Sequence, residues 1–166
     1  MKRKIIIIAH NIRSAHNIGS LFRTADGLGV EKIYLSGYSP CPSIKKALYK
    51  SKAQKEIEKT ALGAQEYVSW EYSRNITSLM DSLREKNFFL VALEQDTKSI
   101  PFYNSIFKEQ KQIAILIGNE VRGLDKRICK KVDAIAEIPM MGYKNSFNVT
   151  VSCGIFLGIL RYTEAS

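Results

Sequence analysis

Residues 5–35, IIIIAHNIRSAHNIGSLFRTADGLGVEKIYL, decide the fold. Four consecutive isoleucines, Ile5 to Ile8, run up to a polar loop after Ala9, the pattern of a strand buried on both faces. Ile18, Leu21, Phe22, Ala25 and Leu28 then recur three or four apart, which marks one face of a helix from Asn17 to Leu28. Gly29 ends that helix, and Lys32 to Leu35 gives a second short strand. Strand, loop, helix and strand in this order form the repeating unit of a parallel sheet, so the chain is an α/β protein.

The remaining sequence continues the theme after an irregular stretch. From Ser36 to about Gly63 come Gly37, Pro40 and Pro42, then Lys45, Lys46, Lys50, Lys52, Lys55 and Lys59 interspersed with Glu56 and Glu58. That lysine-rich stretch reads either as a solvated helix or loop, or as an arm near a phosphate backbone. Strands are expected at Tyr67–Trp70, Phe88–Leu93, Ile113–Ile117 and Ala134–Ile138, with helices at Ser73–Lys86 and Asp125–Lys131. Asn148 to Tyr162 is apolar almost all round and long enough for a helix, which must be covered on both sides. With 166 residues and no internal repeat, linker or low-complexity segment, residues 1–166 are expected to form one domain.

Composition narrows the function. Lys and Arg number 25 against 16 Asp and Glu, a formal net charge of +9, which favours a polyanionic partner such as nucleic acid. Cys41, Cys129 and Cys153 are far apart and form neither a zinc pattern nor a disulfide framework, so a reducing, cytoplasmic setting is expected and no metal. No apolar run approaches the ~20 residues of a membrane span, so no membrane partner is expected.

In parallel sheets, ligands bind where loops leave the carboxyl ends of strands. Three segments deliver small and polar residues to such places: Asn17–Ile18–Gly19 with Arg23, Gly118–Asn119–Glu120 with Gly123, and Ile138–Pro139–Met140 with Ser146 and Asn148. Glu94 and Gln95 follow another strand. Asn17 and Arg23 are expected to look toward one end of the same helix, with Arg23 suited to pair two phosphate oxygens. Asp26, one turn on, is a simpler salt-bridge partner for it. His10 and His16 stand near Asn17, but no carboxylate or nucleophile is paired with them by spacing. There is no G-x-G-x-x-G after the first strand, no G-x-x-x-x-G-K-[ST] and no G-x-S-x-G, which removes the common nucleotide cradles and the hydrolase elbow.

Taken in order, these segments resemble the three motifs of the SpoU (TrmH-type) RNA ribose methyltransferases of the SPOUT superfamily. The first spans Asn11 and Arg13, His16–Gly19, Arg23–Asp26 and Gly29; the second is Ile117–Glu120 with Gly123–Leu124. The third is Ile138–Met140 with Gly142, Ser146–Val149 and Arg161. The resemblance covers essentially the whole chain. It implies the α/β-knot fold, a mostly parallel sheet with helices on both faces and a C-terminal trefoil knot. It also implies S-adenosylmethionine as cofactor, a homodimer, and transfer of a methyl group to a ribose 2′-hydroxyl of tRNA or rRNA. Leu93, Gly118, Asn119, Ile138, Met140 and Phe147 would bind the cofactor; Asn17, Arg23, Glu120, Ser146 and Asn148 would form the catalytic or RNA-facing set. Phe147, in place of the family's common leucine, and Cys153, in place of a small residue, are departures expected to tighten the pocket. Terminal RNA-binding segments like those of many relatives are not expected here. Target choice is therefore expected to come from Lys45–Lys59 and Lys126–Lys131 or from a partner protein. The alternative is a non-catalytic RNA-binding module of the same fold.

Overall fold

The computed structural model describes residues 3–44 and 48–163. Its elements run β1 (Lys4–His10), α1 (Ala15–Gly27), β2 (Lys32–Ser36), α2 (Lys52–Ala61), β3 (Ser69–Ser73), α3 (Ile76–Glu85), β4 (Phe89–Leu93), β5 (Ile100–Pro101), α4 (Ser105–Lys108), β6 (Gln112–Ile117), α5 (Lys126–Cys129), β7 (Ala134–Glu137) and α6 (Val149–Tyr162). One sheet orders the strands β3-β2-β1-β6-β4-β7-β5, and every pairing between them is parallel. The winding order reverses between β1 and β6, so the loops following those two strands diverge and open a crevice at this switch point.

The isoleucine run behaves as a two-faced strand. Ile5, Ile7 and Ala9 enter a core with α1, α2 and α6, while Ile6 and Ile8 enter the opposite core with α3 and α5. The alternation follows from the period-two pleat, and helices on both faces explain why the run lacks polar residues. Phe156 of α6 meets Phe107 of α4 edge to face, with centroids 5.3 Å apart. Buried Arg3 and half-buried Arg161 tie the last helix back to the start of the chain. Arg3 donates to the carbonyls of Leu160, Lys108 and Gln110, and Arg161 to those of Leu28, Gly29 and Arg3.

Three local expectations change. The lysine-rich stretch is helical over α2, closed at its start by Ser51 and Gln54 in a reciprocal capping box. Ile57 and Ala61 of α2 are buried, and its backbone crowds Gly19 of α1 so closely that a Cβ there would stand 2.6 Å from the Ile57 carbonyl oxygen. It is a packed helix and not a free arm; Lys45 and Lys46 lie outside the described residues. The strand expected at Tyr67–Trp70 begins at Ser69 instead, because a single 3₁₀ turn over Ala64–Glu66 precedes it. β5 and α4 have two and four residues, too few for either period to show in sequence.

Candidate functional site

Loops at the carboxyl ends of β4, β6 and β7 enclose a cavity of about 310 Å³, at the lower end of the range for small-molecule sites. Leu93, Ile138, Met140, Phe147 and Val149 supply apolar walls; Asn119, Asn145, Ser146 and Ser152 supply polar ones. Three carboxylates, Glu94, Glu120 and Glu137, line it against a single guanidinium, Arg122. A mixed slot with apolar walls and surplus negative charge suits a ligand with a flat apolar part and a cation.

The floor is the turn after β6. A Cβ on Gly118 would stand 2.5 Å from Gly123 C and Leu124 N, so only glycine lets the two strands of this turn close. Gly123, at φ +67°, completes it, and Asn119 and Gly123 exchange backbone hydrogen bonds of 3.2 and 2.9 Å. Glu94 braces the turn from β4: its carboxylate accepts from Leu124 N at 2.9 Å and from Gln95 N at 3.0 Å.

A polar relay joins the cavity to α1 and α6. Glu120 accepts from the backbone N–H groups of Arg13 and Ser14 and from the Asn17 amide, each at 2.9 Å. Asn17, buried on α1, in turn accepts at Oδ1 from Asn148 Nδ2 at 3.2 Å. Asn148 caps α6, its own Oδ1 accepting from Thr150 N at 2.9 Å. Burial alone would raise the Glu120 pKa. The N–H groups of Arg13, Ser14 and Glu120 itself, with the Asn17 amide, outweigh it and hold the carboxyl below its ordinary value. Glu120 is therefore a fixed anion and a poor proton acceptor.

A family model for the SpoU rRNA methylase family matches residues 4–158. The chain belongs to the SpoU rRNA methylase family. It is 26% identical over 152 residues to a Staphylococcus aureus protein classed as a TrmH-family tRNA/rRNA methyltransferase, covering 92% of this chain and 56% of that one. The chain thus spans just over half the length of such sequence relatives. Among solved structures it matches an AdoMet-bound rRNA methyltransferase from Sinorhizobium meliloti with a TM-score of 0.85 and 23% identity, over all of this chain and 59% of that one. It matches the A. aeolicus TrmH/SpoU tRNA-modifying enzyme with a TM-score of 0.80 and 26% identity, over 98% and 76%. The fold is the α/β knot of SpoU and TrmH structures.

Against the SpoU motifs, the six residues expected to hold a cofactor, Leu93, Gly118, Asn119, Ile138, Met140 and Phe147, all line the cavity. Glu120 and Ser146 line it too, while Asn17 and Asn148 reach it through the relay. Arg23 does not: it is exposed on α1 and outside the cavity lining. Six residues at 3.6 per turn set it about 120° around the helix from Asn17, so the two do not share a face. Cys153 also departs from expectation, since it is fully buried on the inner face of α6 and packs in the core instead of lining the pocket. Burial pushes its thiol up to about 12, and burial with Glu94, Asp96 and Asp125 pushes Cys129 to about 11, so neither is a ready nucleophile.

His10 is occupied structurally, its Nδ1 2.8 Å from Ser36 Oγ and its Nε2 3.0 Å from the Asn11 amide. Arg161 is a backbone clamp far from the cavity lining. Glu137, Arg122, Asn145 and Ser152 are lining residues that sequence reasoning missed. Glu137 lies near the carboxyl end of the strand expected over Ala134–Ile138, and that alone signalled it. Among the described residues no group of His, Cys, Asp and Glu is arranged to hold a metal, and no helix is long and apolar enough to cross a membrane.

Proposed function

We propose that residues 1–166 act as one methyltransferase domain that binds S-adenosylmethionine and methylates a ribose 2′-hydroxyl of tRNA or rRNA. The observation that carries this reading is the relay Glu120–Asn17–Asn148, which ties all three motifs to one cavity. The fit is chemical as well. Leu93, Ile138, Met140 and Phe147 offer a slot for the adenosine, and Glu94, Glu120 and Glu137 offset a positively charged sulfur. When bound, the cofactor supplies an electrophilic methyl group for a ribose 2′-oxygen approaching in line.

The chain's own residues position the reactants. Glu120, Asn17 and Asn148 are positioning residues: they fix the β6 turn and the α6 cap relative to α1. Ser146 is exposed at the cavity wall, where its hydroxyl is available to the substrate. Arg23, with its planar guanidinium fork, clamps the phosphate beside the target ribose and stabilises charge developing on the attacking oxygen. It reaches that position from a second copy of the chain.

The outer face of α6 supports a homodimer. Val151 and Tyr162 are exposed, Gly154, Ile155, Gly158 and Ile159 are half-covered, and the Thr24 methyl beside Arg23 lies 3.5 Å from where a Gly154 Cβ would be. A partner seated on this apolar, small-residue face would cover it.

Calorimetric titration with S-adenosylmethionine followed by tritiated-methyl transfer to bulk tRNA and rRNA tests the reading. Binding and transfer are expected. Binding without transfer to any RNA would replace it with the non-catalytic module, and sugar-methylation mapping in cells lacking the protein would identify the target nucleotide.

A further inference from the structure

We propose that the other half of the sheet's carboxyl rim, over β1, β2 and β3, is a landing track for an unpaired stretch of the substrate RNA. Tyr38 and Tyr72 are its stacking platforms. The inference rests on the methyltransferase reading of the cavity and adds the form of RNA that it accepts.

Both rings are exposed, Tyr38 by 59% and Tyr72 by 46%, yet neither is loose. The Tyr38 hydroxyl accepts from Asn119 Nδ2 at 3.0 Å, and its backbone N–H donates to Asn11 Oδ1 at 3.2 Å. The Tyr72 hydroxyl donates to the carbonyl of Gly37, the residue before Tyr38, at 2.9 Å. A phenol held at its far end keeps its ring in place while its faces stay in water, so the ordering cost of stacking is met in advance. Through Asn119, the first platform is bonded directly to a residue of the cavity wall.

Charge completes the surface. Arg13, Arg74 and Arg122 follow β1, β3 and β6, all are exposed, and none forms a salt bridge among the described residues. The neighbouring carboxylates are already engaged, Glu71 with Lys32 at 2.7 Å and Glu120 with its N–H donors. From β6 to β3 the rim runs three strand spacings, about 14 Å. Cations alone would accept a duplex. Cations flanking fixed, exposed aromatic rings fit a single strand, whose bases are free to leave their own stack.

Fluorescence anisotropy with a labelled, unstructured oligoribonucleotide, and with the same strand paired to its complement, tests this. The single strand is expected to bind more tightly than the duplex. Tyr38→Leu and Tyr72→Leu should each weaken single-strand binding about ten-fold with the duplex unaffected, and Tyr72→Phe, which keeps the ring, should stay within about three-fold of wild type. S-adenosylmethionine titration of each variant reads the cavity separately, and Tyr72 stands clear of it. Leucine variants that bind the single strand as wild type does, with cofactor binding intact, would overturn the proposal, as would equal losses on duplex. A wild-type chain that does not bind S-adenosylmethionine would instead strike at the cavity reading, and would end the track's role beside a target ribose.

Discussion

Glu120 commits both carboxylate oxygens to donors on the β1–α1 loop and α1, so at the residue scale it is a strut whose strength depends on charge. Its folded pKa lies below the ordinary 4.5, so the stabilisation it contributes is complete above that value and lost as pH falls through the lower, folded one. Thermal melts of wild type and Glu120→Gln should therefore differ by a constant gap from neutral pH down to about 4.5, and converge below it. His10 has the opposite chemistry and the same sign: burial lowers its pKa against the opposing pull of Asp125, so the neutral ring is the folded form. Its contribution is present above 6.5 and is lost on acidification, which an NMR titration of the imidazole should report as a midpoint below that value. Arg23→Lys separates clamp from bystander. A lysine keeps the charge and loses the planar fork, so single-turnover methyl transfer should fall by at least about ten-fold, and near-full turnover would remove any need for the fork.

At the scale of elements, α6 combines two surfaces that sequence alone merges. Cys153, Phe156, Leu157 and Leu160 are buried against the sheet and α1, whereas Val151 and Tyr162 are not. Phe156→Ala deletes a ring with no exposure that packs on Phe107, and should cost about 3–5 kcal/mol in urea unfolding. Element identity was legible where the period was long or the burial two-sided. β1, β4 and β6 read as strands because both faces demand apolar residues. β3 read poorly because it is an edge strand, and four of the five residues Ser69–Ser73 carry polar or phenolic side chains. α2 was ambiguous for a related reason: only Ile57 and Ala61 of its ten residues are buried, so its lysines dominate the pattern.

At the scale of the whole molecule, the uncovered half of α6 predicts the assembly. Ile155→Asp places a charge in the proposed dimer face and should shift the protein toward monomer in sedimentation equilibrium. Methyl transfer should fall with it, because Arg23 then has no neighbouring cavity to enter; a monomer with full activity would return Arg23 to its own chain's site.

The sequence by itself determined the alternating α/β order, the three polar segments at strand ends and the glycine turn at Gly118 and Gly123. Each is a local demand of burial period or backbone sterics, written in consecutive residues. Only the tertiary structure decided that Asn17 meets Asn148, 131 residues away, and that Arg23 turns from the cavity its own helix helps to hold. It alone decided that Tyr38 and Tyr72 are exposed while their hydroxyls are hydrogen-bonded to Asn119 and Gly37. Those are facts of helix phase and sheet order, which bring side chains together without leaving any spacing in the chain to mark them.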